Sequence, residues 1–438
     1  MTPSARLQAV LELLSEISAT PRPADALTSA YFRARRYIGS KDRAYVSNVL
    51  YDVLRHHARL AWWLEKNDVE LTPRYQLLAY LMLVDEKPLA VVEELFSGGK
   101  FAAAKLTDDE REVLKKLQKR TVEHPDMPDE VKGECPAWAL AGLQKRFGKN
   151  LLRELQALLK PAPLDLRVNP LKATRDKVLV AIKQAGMQAE ACALSPLGIR
   201  VEERPSLNDL PMLKNGQIEI QDEGSQMVAF LVDAKPGERV VDFCAGAGGK
   251  TLAIAAAMKN KGRIIACDVL AGRLKRSTER FRRAGLHNIE VKALSSESDP
   301  WVKRHKGGFD RVLVDAPCSG TGTWRRNPDS RWKNLGPGLD QLVVLQGKIL
   351  ASAARLVKPG GRLVYATCSL LEEENEKQIE AFLAAHKDFK LKNISEIWAK
   401  IGPGPYLSLS PAQHNTDGFF GAVLERVKDK TPQGKHDE

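Results

Sequence analysis

Cysteine is scarce in this chain and widely scattered. Its six cysteines, Cys135, Cys192, Cys244, Cys267, Cys318 and Cys368, are spread over 438 residues, with no two closer than 23 positions. The absence of any C-x-x-C pair excludes a zinc ribbon and a dense disulfide framework, so reduced thiols and no bound metal are expected. Long apolar runs are also missing, and none approaches the ~18 residues a membrane span needs. The opening stretch MTPSARLQAVLELLSEIS carries Glu12 and Glu16 and has neither the apolar core nor the small-residue cleavage site of a secretory signal. A cytoplasmic protein with no membrane partner is expected. Aromatic residues make up only 6%, but 43% hydrophobic and 28% charged residues are the balance of a folded globular protein. At ~150 residues per domain, the length suggests roughly three domains.

Acidic residues are in the minority, 55 against 67 Lys and Arg, for a net charge of +12. Residues 1–160 carry 25 basic and 22 acidic side chains, and residues 161–438 the remaining 42 and 33. The excess sits in the C-terminal part and points toward a polyanionic substrate, although a solvated helix face gives the same count.

Residues 1–120 read as helix. Leu7, Val10, Leu11, Leu14 and Ile17 recur at helical spacing, as do Val46, Val49, Leu50, Val53 and Leu54. Thr72-Pro73 marks a helix start, and Thr107 with Glu110 makes a capping box. Three prolines and no periodicity make 121–136 a linker. A helix over 137–159 and a small α+β unit to 220 follow. From 221, short apolar strands at 239–243, 263–267, 288–292, 311–316, 361–367 and 419–426 alternate with helices, which predicts a mainly parallel sheet in an α/β fold. The expected domains are 1–136, 137–220 and 221–427, with a disordered tail over 428–438.

The strand at 239–243 runs into Asp242-Phe243-Cys244-Ala245-Gly246-Ala247-Gly248-Gly249-Lys250-Thr251 and then a helix. A P-loop would need glycine at Cys244, and a dinucleotide loop would need it at Thr251, so both motifs fail. S-adenosyl-L-methionine fits better. Asp242 can meet its amino-acid end, and Asp268, ending the next strand, can bind ribose hydroxyls as the acid of dinucleotide folds does. A glycine turn that merely tightens helix packing is the alternative.

Two later strands end in cysteines, in Asp315-Ala316-Pro317-Cys318-Ser319 and Thr367-Cys368-Ser369. Ligands bind beyond the carboxyl ends of strands in such sheets, so both thiols should lie on the cofactor's rim. A free cysteine alone is usually a small buried hydrophobe, but two in matching positions suggest methylation of a pyrimidine carbon. Carbon 5 of cytosine is a poor nucleophile until a thiolate adds to carbon 6, and Asp315 can hold the polar edge of the ring. Amino-group methylation would favour a [DN]-P-P-[YF] loop, and Asp315-Ala316-Pro317-Cys318 is not one.

The motifs DFCAGAGGKT, DVLAGRLKR, DAPCSGTGTWRRNPDSRW, YATCS and HNTDGFF together resemble the Sun/Nop family of RNA cytosine-5 methyltransferases, most of all its bacterial small-subunit ribosomal RNA branch. The resemblance spans about 161–427. It implies a Rossmann-like class I S-adenosylmethionine-dependent methyltransferase domain, behind a NusB-like RNA-binding helical domain and a small RRM-like unit. It implies Cys368 as the nucleophile, Cys318 as the group that assists product release, and Asp315 and Lys250 near the target base. The cofactor residues it implies are Cys244, Ala245, Gly246, Ala247, Gly248, Gly249, Lys250, Asp268 and Asp315. Leu166-Arg167-Val168-Asn169-Pro170 and Gln221-Asp222 also match family landmarks. Ala247 stands where the family has proline. After the third strand the family's adenine-contacting acid is replaced by Ala293-Leu294-Ser295-Ser296-Glu297, so that contact falls either to Ser295 or to no residue.

Six basic residues, Arg273, Lys275, Arg276, Arg280, Arg282 and Arg283, crowd one stretch, and Trp324-Arg325-Arg326 and Arg331-Trp332-Lys333 interleave aromatics with cations. The first reads equally as a solvated helix face. The second, beside the Cys318 loop, is expected to stack unpaired bases. The expected function is cytosine-5 methylation of ribosomal RNA by a monomer, with transfer RNA or a non-catalytic RNA-binding role as alternatives.

Overall fold

In a computed structural model, residues 1–202, 210–333, 335–398 and 404–428 are described. The chain divides into two compact units, one of residues 1–161 with 324–337, the other of residues 162–323 with 338–438. Among the described residues no helix is long and apolar enough to cross a membrane. The tail expected to be disordered lies outside the described residues beyond Lys428.

The first unit is helical. Leu7, Val10, Leu14, Val46, Leu50 and Val53 lie on one shared core, as their 3.6-residue spacing requires. Thr72 Oγ1 accepts from the Tyr75 amide, and Thr107 and Glu110 complete the capping box. The proline-rich 121–136 segment is a packed part of this unit rather than a free linker. Met127 and Cys135 are buried, and the fully buried Glu134 accepts from the Ala58 amide (2.6 Å) and from Arg59 Nε (3.0 Å). Proline breaks the helical period there but does not stop the chain from packing. Helices Ala137–Phe147 and Leu151–Leu159 continue the same unit beyond the boundary expected at 136.

The excursion 324–337 corrects an expectation. Trp324 is completely buried and Arg331 is 2% exposed, so neither is a stacking surface for RNA. Arg331 spends its guanidinium on the carbonyls of Glu134 (2.9 Å) and Leu158 (2.9 Å) and lies over the Trp324 ring. Burial pushes its pKa down to about 10, still far above neutrality, so it remains a cation. Trp332 stacks on His57, and Asp329 caps the Ala24 amide at 2.8 Å. The alternation of aromatic and cationic residues here serves a core in which carbonyls need donors. Arg331→Ala should therefore destabilise this unit by about 3 kcal/mol or more, the cost of a cavity plus orphaned carbonyls. Thermal unfolding with hydrogen exchange around Glu134 and Leu158 checks it, and an unchanged transition with weaker RNA binding would restore the nucleic-acid reading.

The second unit holds two sheets. The smaller has β1 (Leu164–Val168), β2 (Ala189–Ala191), β3 (Gly198–Val201) and β4 (Ile218–Ile220), in antiparallel order β2-β3-β1-β4. The larger has β5 (Arg239–Asp242), β6 (Arg263–Asp268), β7 (Ile289–Ala293), β8 (Phe309–Asp315), β9 (Val357–Thr367), β10 (Phe389–Lys392), β11 (Tyr406–Leu409) and β12 (Phe419–Arg426). Its order is β10-β12-β9-β8-β5-β6-β7, with β11 beside β12. Strands β5 to β9 pair in parallel, and β12 runs antiparallel to β9. The apolar cores on both faces explain why these strands read as continuous hydrophobic runs rather than alternating ones. Strand order reverses between β5 and β8, and ligands bind at such a switch point.

Candidate active site

A cleft of about 570 Å³ opens at that switch point. It is lined by the ends of β5, β6 and β8, by the glycine loop and by both strand-end cysteines.

The glycine loop is shaped by left-handed backbone at Gly246 (φ 54°) and Gly248 (φ 78°). Cys244, Ala245, Gly246, Ala247, Gly249 and Lys250 line the cleft. Gly248 does not. A Cβ at Gly248 would fall 2.6 Å from the Phe281 ring, so its glycine serves close packing of the loop on helix Ala271–Ala284. Asp268 holds the loop open, accepting from the Gly246 amide (2.8 Å) with one oxygen and the Leu270 amide (2.7 Å) with the other. Asp242 accepts from Thr251 Oγ1 at 2.7 Å, while its Oδ1 is buried without a partner. Burial pushes this carboxyl up to about 7.

Ser295 is not among the residues that line the cleft. Its amide and hydroxyl both donate to Asp299 (2.8 and 2.9 Å), and the neighbours Ser296 and Glu297 line the wall instead.

Lys250 extends across the floor to Asp315, with Nζ 2.7 Å from Oδ2. Burial opposes the ammonium, but the Asp315 carboxylate outweighs it and raises the lysine pKa, so Lys250 stays charged. Cys318 and Cys368, 50 positions apart in sequence, bring their sulfurs within 3.4 Å. Their hydrogen bond, with burial, holds the Cys318 thiol well above the ordinary thiol range. The two thiols share one hydrogen bond, in which either sulfur can be the donor.

Backbone contacts fix this juxtaposition. The Gly322 amide donates to the Cys368 carbonyl (2.9 Å), and the Gly322 carbonyl accepts from the Gly418 amide (2.8 Å). Thr321 Oγ1 accepts from the Leu370 amide at 2.8 Å.

The 16S rRNA methyltransferase RsmB/F family model matches residues 229–425, and an RsmF/B-like ferredoxin-like domain matches residues 135–208. The chain is 32% identical to the probable ribosomal RNA small subunit methyltransferase B of Synechocystis sp., covering 88% of this chain and 92% of that one. The chain belongs to the RsmB/F methyltransferase family. It is also 30% identical to ribosomal RNA small subunit methyltransferase B of Photorhabdus laumondii, over 92% and 94% of the two chains. The crystal structure of PH0851, 26% identical, superposes with a TM-score of 0.80 over 97% of this chain and 99% of that one.

As an RsmB/F protein the chain is an RNA methyltransferase, and its methyl donor is S-adenosylmethionine. The cleft suits that donor: backbone lies bare at the glycines, the carboxylate of Asp268 ends β6, and the unpartnered Asp242 Oδ1 awaits a donor. The family landmarks of uncertain role acquire one. Arg167 of β1 donates to Gln221 and to the Gly249 carbonyl (2.8 Å), and Gln221 itself lines the cleft. Asn169 donates to the carbonyls of Gly216 (3.0 Å) and Ala284 (2.9 Å). Arg167 of the small sheet therefore buttresses the glycine loop, a link the sequence hid because the partners of Arg167 and Asn169 lie 47 to 115 positions away. Of the basic cluster, Arg280 and Arg283 are tied to Glu219, and Arg273 and Arg280 reach the cleft wall.

Proposed function

We propose that this RNA methyltransferase acts on carbon 5 of a cytosine in small-subunit ribosomal RNA, through a covalent bond between Cys368 and the base. The observation that carries the proposal is the thiol pair, two sulfurs 3.4 Å apart at the rim of the cofactor cleft.

Asp268 would hold the ribose of S-adenosylmethionine, Asp242 its amino group, and the Cys244–Lys250 backbone its amino-acid end. Bound there, the cofactor supplies an electrophilic methyl group. The protein's residues supply the rest. The Cys368 thiolate adds to carbon 6, forming an S–C bond while the electrons of the 5,6 double bond become available at carbon 5. The Asp315 and Lys250 pair meets the polar edge of the ring and balances charge at N3 and O2. Once carbon 5 is methylated, Cys318 would give its proton to the departing Cys368 sulfur as the S–C6 bond breaks, and take the carbon 5 proton in exchange as the 5,6 double bond re-forms. Cys318, bearing a proton 3.4 Å from the leaving sulfur, is placed to assist that release. The target base must be unstacked to enter, which favours a loop or single-stranded region.

The test is to map 5-methylcytosine in total RNA from cells with and without the gene. Loss of a mark in small-subunit ribosomal RNA is expected, and loss confined to transfer RNA would contradict the substrate. Asp268→Ala should weaken S-adenosylmethionine binding by ~10-fold or more, since a charge-assisted hydrogen bond is worth ~1.5–3 kcal/mol and the Gly246 anchor goes with it. Calorimetry on the folded variant reads this directly, and unchanged affinity would remove Asp268 from the cofactor site.

A further inference from the structure

The wall behind Cys318 contains a buried acid that the mechanism has not used. Glu374 is completely buried, in the turn that follows the Cys368 strand. Its carboxylate accepts from the Ser319 amide (2.8 Å), from the Ser319 hydroxyl, and from Gln346 Nε2 (2.9 Å). Gln346, itself buried on helix Leu339–Ala354, also donates to the Pro317 carbonyl at 2.9 Å. The residues on both sides of Cys318 are thereby clamped to one acid and its amide neighbour. The same turn is tied to the strand that leads to the other thiol and to the residue after it: the Tyr365 hydroxyl donates to the Glu374 carbonyl (2.7 Å), and Asn375 Nδ2 donates to the Ser369 carbonyl (2.9 Å).

We propose that Glu374 is a positioning residue for the reaction, which with Gln346 fixes the Cys318 loop opposite Cys368 and sets a carboxylate against the residue that follows Cys318. The proposal rests on the division of labour between the two thiols given above. Hydrogen bonds to Glu374 set the position of the loop, and its negative charge disfavours a second negative charge at the sulfur beside it. The other titratable groups around the pair are Tyr365 of β9, Asp315 at the end of β8, Lys250 of helix Gly249–Ala257 and Cys244 of the glycine loop. Lys250 answers Asp315 at 2.7 Å, so Glu374 is the acid whose field is left to act on Cys318. An apolar residue at 374 would leave the Ser319 amide unmet. A glutamine would meet that amide and remove only the charge.

The experiment is thiol alkylation of the full-length protein by iodoacetamide across pH, with Cys318 and Cys368 quantified separately by peptide mass mapping, in parallel with steady-state RNA methylation. In Glu374→Gln the Cys318 profile should move to lower pH by about one unit or more, the shift a neighbouring charge produces. Its kcat should fall about tenfold while the KM for RNA stays within twofold, and covalent protein–RNA complex should accumulate because release has slowed. Gln346→Met keeps the charge but loosens the Pro317 side of the clamp. It should lower kcat without moving the Cys318 profile, and it tests the proposal even if Glu374→Gln folds poorly. An unmoved Cys318 profile in Glu374→Gln, or full kcat in Gln346→Met, would overturn the proposal. Alkylation is read on free protein, so it stands apart from the covalent mechanism, whose own failure would appear as absence of RNA adduct in every variant.

Discussion

Cys368→Ala is expected to abolish RNA methylation while leaving cofactor binding and fold intact. The reason is chemical. Without a thiolate adding to carbon 6, carbon 5 of cytosine has no electrons to offer, and burial holds the other thiol of the cleft, Cys244, well above the ordinary thiol range. Cys318 sits 3.4 Å away, but its hydrogen bond to Cys368 and its burial hold it protonated, so it is a poor substitute. The loss should be at least ~10³-fold in kcat, because the covalent route replaces one hard step with easier ones. Single-turnover methylation of the RNA substrate measures it, with S-adenosylmethionine affinity by calorimetry as the control for folding. Activity within tenfold of the wild type would remove Cys368 from the chemistry.

Gly322→Val should be nearly as damaging, although Gly322 touches no reacting atom. A Cβ at this position would lie 2.3 Å from the Gly418 carbonyl oxygen and 2.7 Å from the Gly418 Cα, both backbone atoms that cannot swing aside. The Gly322 turn must then shift away from the segment that leads into β12, which disturbs the Gly322 amide's bond to the Cys368 carbonyl and with it the spacing of the two sulfurs. Displacement of about 1 Å in a pre-organised site costs on the order of 10²-fold, so kcat should fall by about that much. Cofactor binding should hold, because the loop that binds it is anchored separately through Asp268 and Arg167. A variant with weakened cofactor binding and normal kcat would show that the glycine contact serves the cleft rather than the thiols.

What the sequence made legible was mostly local. Strands β5, β6, β8, β9 and β12 stand out as apolar runs; Asp242, Asp268 and Asp315 are the last residues of β5, β6 and β8, and Cys368 directly follows β9. Thr107 and Glu110 announce a helix start because both partners of that box lie within one turn. The misreadings involve long-range packing or a competing local bond. Trp324 and Arg331 look like an RNA-stacking surface until the chain folds them among carbonyls of residues 134 and 158, which no local pattern encodes. Ser295 looks available for a ligand, but Asp299 four positions on captures both of its donors. Gly248 reads as part of a ligand cradle, whereas the Phe281 ring beside it is the reason it is glycine. Glu374 carries no signal in the sequence, because its partner Ser319 lies 55 positions earlier and only the fold brings the two together.

The central claim is that a sulfur of this chain bonds to the base before the methyl group is transferred, and that the sulfur belongs to Cys368. The most direct measurement uses Cys318→Ala, incubated with labelled ribosomal RNA and S-adenosylmethionine, run on a denaturing gel and followed by peptide mapping of any shifted band. The variant should still add Cys368 to the cytosine and transfer the methyl, then stall, giving a stable protein–RNA band that maps to the peptide containing Cys368. Wild-type protein should turn over and trap little. A stable adduct in Cys368→Ala and none in Cys318→Ala would reverse the two roles. No adduct in any variant, with methylation surviving both substitutions, would contradict covalent catalysis altogether.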